Sequence, residues 1–142
     1  MTQTSPSEYT FVDEVRIADL RHTTSSQHDL RKLIALCGEL NQCYRSQCYH
    51  AVAALTRAVL DHVPPIFGHQ NFAAVANRYG SKSFKDCMTQ LETMARKIGD
   101  MHLHTQIRER ESLPTRTQVN FSQAVDVLLA EIVRLLGTSE KP

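Results

Sequence analysis

The sequence predicts an all-α fold, a bundle of four main helices with two short ones. Three observations predict it. Apolar residues recur every three or four positions through most of the chain, the period of a helix that buries one face. Capping residues and glycine or proline breakers stand at the ends of those runs. No stretch alternates apolar and polar residues at the period of two that a strand needs.

The elements follow in order. Residues 1–10 are polar and contain Ser, Thr and Pro, so they read as a flexible lead-in. A short helix is predicted over Val12–Arg21, with Val15, Ile17 and Leu20 on its apolar side, followed by a polar linker. Lead-in, short helix and linker make up residues 1–28, the bundle domain spans 29–137, and 138–142 is a tail. The next helix starts near Asp29, a good N-cap, and runs to about Tyr44. Leu30, Leu33, Ile34, Cys37 and Leu40 form its stripe. Ser46 is placed to cap a helix from Gln47 to Val63, which Pro64-Pro65 ends. Ile66-Phe67-Gly68 reads as an apolar turn tucked onto the core. Asn71 caps a short helix through Phe72, Val75 and Ala76, stopped at Gly80. Ser83-x-x-Asp86 resembles a capping box, and from it a long helix is predicted to about Arg110. Pro114 lies in the loop beyond. Asn120-x-x-Gln123 opens the last helix, Phe121–Leu136, which Gly137 ends.

The bulk properties narrow the function. A chain of 142 residues is one domain with room for a real core. Its formal charge of +1 supplies no global field toward duplex DNA or acidic lipid, which leaves at most a local basic cleft. No apolar run approaches the ~20 residues of a membrane span, and no basic-then-apolar secretion signal opens the chain. A cytoplasmic protein is expected. Cys37, Cys43, Cys48 and Cys87 form no Cys-x-x-Cys pair, so reduced thiols are expected, with Cys37 and Cys87 on apolar stripes. Neither a metal nor a cofactor is expected. His102-x-His104 with His62 or His69 is a poor metal site, because helical positions two apart point in different directions. There is no phosphate-cradling Gly-rich loop and no nucleophile elbow.

The segment Met94–Arg108 carries the functional signal. Arg96, Asp100 and His104 stand four apart, one above the other on a helical wheel. The stripe of Cys87, Leu91, Met94, Ile98 and Met101 centres roughly 140–180° from Arg96 and Asp100, and about 110° from His104. A guanidinium, a carboxylate and an imidazole therefore line up away from the core. Arg96 can hold a phosphate, His104 can move a proton near neutral pH, and Asp100 can fix the Arg96 rotamer. The bland reading is an exposed charge ladder. Leu103 and Ile107 lie on or near the same face, which suits a contact surface and a symmetric dimer. Arg57 and His50 edge the preceding helix and are candidates for a second wall, against the simpler reading of an Arg57–Asp61 ion pair beside a partly exposed histidine.

The run Arg96-Lys-Ile-Gly99-Asp100-Met-His-Leu-His104 resembles the signature helix of HEPN domains, small helical modules of bacterial defence and toxin systems. It is most similar to an uncharacterised bacterial branch with an Arg-x-x-Gly-Asn-x-x-x-His run, with Asp100 standing where Asn is usual. Tyr49–Asp61 is similar to that branch's preceding helix, in which an aromatic, an Arg and an acidic residue recur. The resemblance covers about residues 29–136. It implies an antiparallel helical bundle that forms a homodimer. Active members of the family are metal-independent ribonucleases whose Arg and His lie between one and two helical turns apart. Arg96 with His102 fits that spacing, whereas Arg96 with His104 fits the branch. The expected function is an interaction or regulatory module acting through dimerisation, with a protein partner. The alternative is a metal-independent ribonuclease acting on RNA through Arg96 and His104, with His102 as the other candidate histidine.

Overall fold

The computed structural model describes residues 10–138, and the expectations for residues 1–9 and 139–142 lie outside the described residues. All regular structure among the described residues is helical: α1 (Glu14–His22), α2 (Arg31–Arg45), α3 (Tyr49–His62), a 3-10 turn (Pro64–Phe67), α4 (Phe72–Arg78), α5 (Lys82–His102), α6 (Arg116–Val119) and α7 (Ser122–Thr138). No helix among the described residues is long and apolar enough to cross a membrane. Helices α2, α3, α5 and α7 enclose one core, built on Leu33, Leu40, Val52, Leu60, Leu91 and Leu128. Burying these side chains removes the apolar stripes read from the sequence from water, the main favourable term in folding.

Phe11, Val12, Ile17 and Leu20 join that core. Asp13 caps α1 by accepting the Val15 N–H, and Ile17 and Leu20 face inward. Val15 is 69% exposed, because it lies roughly 200° around the helix from Ile17. Its expected place is taken by Phe11 and Val12, both buried just before the helix. These two residues have lost water at their backbone, and Asn41 of α2 replaces it. The Asn41 amide oxygen accepts the N–H of Phe11 (2.9 Å) and of Val12 (2.7 Å), and its nitrogen donates to the Val12 carbonyl (2.8 Å). Arg16 adds an ion pair with Asp126 that ties α1 to α7.

The α2–α3 connection differs from the expected Ser46 cap. α2 starts two residues after Asp29, whose carboxylate accepts the Arg31 N–H, and continues to Arg45. The chain then closes a Schellman turn: Gln47 N–H bonds the Tyr44 carbonyl (3.2 Å) and Cys48 N–H bonds the Cys43 carbonyl (2.8 Å). Ser46 is therefore the C-cap of α2, and α3 begins at Tyr49 with no side-chain cap. The turn needs a left-handed residue, and Gln47 supplies it at φ 62° without being glycine.

From Pro64 to Gly80 the punctuation matches the sequence, and beyond it the ends of α5 differ. Pro64 opens the 3-10 turn, Phe67 is buried, and Gly68 leaves it at φ 78°. Asn71 caps α4, and Gly80 turns the chain at φ 84°. Ser81, not Ser83, caps α5 through the Phe84 N–H. α5 ends at His102 instead of about Arg110, and residues 104–115 form a loop. Thr115 and Gln118 make a full capping box around α6, where a loop is expected from the sequence.

Two outcomes follow from this framework. Replacing Gln47 with Gly relieves the left-handed strain and should raise the unfolding free energy by about 0.5–1 kcal/mol. Asn41→Ala removes three bonds and strands two buried N–H groups, so it should lower stability by about 3 kcal/mol. Urea titrations of both variants against the parent check the two signs.

Candidate functional site

The site is the seam between α3 and α5, which run antiparallel: Arg57 of α3 meets Glu92 near the middle of α5, and His50 meets His102 at its end. The buried face of α5 is Met88, Leu91, Glu92, Ala95, Ile98, Gly99 and His102. It is turned roughly 80° from the stripe expected by hydrophobicity alone. Leu91 and Ile98 are buried as expected, but Met94 is 47% and Met101 55% exposed. The rotation brings two polar side chains, Glu92 and His102, inside, and each has partners that make this tolerable.

Glu92 lies between two arginines. One oxygen accepts Arg57 Nη1 at 3.2 Å across the seam, and the other accepts Arg96 Nη2 one turn along α5. Arg57 also reaches Asp61, 3.4 Å away. Two guanidiniums and two carboxylates thus form a charge-balanced cluster. The hydrogen bond to Glu92, with its negative charge, pushes the Arg96 guanidinium further up from its ordinary value, and Asp100 adds a weaker attraction. The carboxylate that orients Arg96 is therefore Glu92, and exposed Asp100 is not hydrogen-bonded to it, contrary to expectation.

His104 is not on the Arg96 face. The helix has ended before it, and His104 lies exposed in the loop. Leu103 closes α5 through its N–H to the Gly99 carbonyl (2.8 Å) and is half-buried. Ile107 is 93% exposed in the same loop, so Leu103 and Ile107 form no common helical face with Arg96. The alternative histidine, His102, is buried. Its Nε2 meets Gln118 Oε1 at 3.1 Å, its Nδ1 is buried without a partner, and its ring stands edge-on to His50 at 6.1 Å. The Gln118 oxygen also accepts the Thr115 N–H, so it is the acceptor and His102 Nε2–H the donor. On a helix, Arg96 and His102 are about 9 Å apart along the axis and roughly 120° apart around it. One chain therefore does not converge its guanidinium and its imidazole on one phosphate.

The second wall is partly as expected. Arg57 joins the Arg96 cluster through Glu92, whereas His50 covers His102 instead. Sequence reasoning missed Glu92, although it precedes Arg96 by the spacing of a helical ion pair. It also missed α6, which packs under the seam: Arg116 Nε donates to the Tyr49 hydroxyl (3.2 Å), and its guanidinium lies over the Tyr44 ring. Among the described residues no group of three His, Cys, Asp or Glu side chains could hold a metal ion. The other flank of α5 forms an apolar groove of about 820 Å³ with α7, lined by Cys87, Leu91, Met94, Ile98, Phe121 and Val127. No protein-family model, curated protein or solved structure matches the chain.

The cluster sets a contrast between two acidic residues about two turns apart on α5. Glu92→Ala leaves Arg57 and Arg96 facing each other and should lower stability by about 2–4 kcal/mol. Asp100→Ala, at the exposed position, should change it by less than about 0.5 kcal/mol. Equal effects in thermal and urea unfolding would show that Glu92 does not hold the seam.

Proposed function

We propose that this chain is a HEPN-like interaction module that works by associating with a second copy of itself, as a regulatory part of a bacterial defence or toxin system. The observation that carries this reading is the division of labour on α5. Its Arg96 flank is neutralised within the chain by Glu92, while its opposite flank leaves Met94 exposed in the groove that Val127 of α7 also lines. Exposed methionines on a groove are adaptable contact residues. A neutralised guanidinium is poorly prepared to bind a phosphate. The resemblance of residues 29–136 to HEPN domains supports both the fold family and the dimer. Because α5 ends before Leu103 and Ile107, the contact proposed here is the α5–α7 groove in place of those two residues.

A metal-independent ribonuclease is the second reading, and one observation favours it. The buried, unpartnered Nδ1 of His102 lies at the ribonuclease spacing from Arg96. In that case a partner copy would have to complete the site.

Light scattering at micromolar concentration, with RNA incubation in EDTA, separates the readings. The parent should be a dimer, Met94→Glu with Val127→Glu should be a folded monomer, and neither should cleave RNA. A monomeric parent would overturn the proposal. Cleavage by the parent that is lost in Arg96→Ala with His102→Ala or His104→Ala, with folding retained by circular dichroism, would establish the ribonuclease instead.

A further inference from the structure

We propose that Cys43 and Cys48 are a redox-modifiable pair that a hydroperoxide converts to a disulfide across the α2–α3 turn. The argument starts from the Schellman closure. The Cys48 N–H lies 2.8 Å from the Cys43 carbonyl oxygen. Standard bond lengths then hold the two Cα atoms within about 6.7 Å of each other. A disulfide spans roughly 4.4–6.8 Å between Cα atoms. In this turn type the residues at these two positions also tend to touch through their side chains. The remaining thiols do not share this geometry: Cys37 is buried in the core, and Cys87 lines the α5–α7 groove.

The two thiols differ in a way that assigns their roles. Cys48 is exposed, and its Sγ makes only a weak 3.7 Å contact with the Ser46 carbonyl. Cys43 is half-buried, and burial, with lesser contributions from Cys48 and Glu39, pushes its thiol up from the ordinary value. Cys48 is therefore the sulfur that meets the oxidant, and Cys43 is the one that resolves. The Cys48 thiolate attacks one hydroperoxide oxygen, the O–O bond breaks, and the alkoxide or hydroxide leaves with the proton Cys48 gave up. Cys48 is now a sulfenic acid. The Cys43 sulfur attacks the Cys48 sulfur, the S–O bond breaks, and the departing hydroxide takes the Cys43 proton as water. Two thiols and one hydroperoxide give one disulfide, one alcohol (or water) and one water. The thiols lose the two electrons that the peroxide gains. The bridged turn encloses Tyr44 and ends next to Tyr49, the residues that hold Arg116 of α6, so oxidation stiffens the support of the α3–α5 seam.

The test uses the reduced full chain and hydrogen peroxide, followed by alkylation and trypsin. Arg45 lies between the two cysteines, so cleavage there places them on separate peptides. The expected product joins those peptides within one chain, disappears on treatment with a dithiol reductant, and does not form in Cys48→Ser. In Cys43→Ser, Cys48 should instead stop at a sulfenic acid that dimedone traps. Cys37 shares the Cys43 peptide, so a joined product that persists in Cys43→Ser would name Cys37 as the partner and overturn the proposal. So would oxidation of Cys48 to sulfinic acid while Cys43 stays open to alkylation, or a bridge found only between chains. Should Cys43→Ser fail to fold, Cys48→Ser at its exposed position carries the decision with the parent.

Discussion

The carboxylate of Glu92 sets the rotation of α5, and the functional surface depends on that rotation. A carboxylate with so little exposure must keep its charge compensated, and the compensation comes from two directions: Arg57 across the seam and Arg96 along the helix. The Arg57 contact holds only when Glu92 faces α3, whereas the Arg96 contact lies within α5. Once Glu92 faces α3, Ala95 and Gly99 follow it onto the seam, since they lie on the same helical face, while Met94 turns to the α5–α7 groove and Met101 is exposed. One polar contact thus decides which flank of the helix is charged and which is apolar.

Polar side chains do the same work at the margins of the bundle. Asn41 holds Phe11 and Val12 against the core by bonding their backbone groups in place of solvent. Arg116 and Gln118 hold α6 to Tyr49 and His102, from α3 and α5 respectively. Neither segment buries enough apolar surface to order itself alone: α6 has four residues and only Val119 buried within it. Directional bonds supply what a short amphipathic face cannot. His102 is the least satisfied member of this set, with one nitrogen bonded and one buried without a partner.

The sequence exposed the fold more readily than the site. The stripes of α2, α3 and α7, the Pro64 and Gly80 stops and the Asn71 cap could be read from period and local chemistry, because each is decided within a few residues of chain. Two things could not. Glu92 and His102 are polar, so a hydrophobic wheel assigns them to solvent, and only the partners Arg57 and Gln118, distant in sequence, bring them inside. Gln47 in a left-handed turn contradicts the glycine preference, and the two backbone bonds that enforce it are visible only once α2 and α3 are placed. Thr115-x-x-Gln118 was legible, since it fits the capping-box pattern, and it would have marked α6.

The end of α5 bears most directly on how the Arg96–His104 run should be understood. Residues 103–113 contain nothing that forbids a helix: Leu103 and Ile107 are spaced for one face, and Arg108–Glu111 are good helix formers. Helices in proteins are sustained mainly by packing, however, and beyond Leu103 every residue from 104 to 113 is exposed. The chain must also turn back so that Gln118 can reach His102 and Arg116 can reach Tyr49. The helix therefore stops where its last buried residue is bonded. A motif that reads as one continuous helical face becomes two regions, a neutralised arginine cluster on α5 and an exposed histidine in the loop. Any chemistry that needs Arg96 and His104 together requires an arrangement of this loop other than the one that serves the fold.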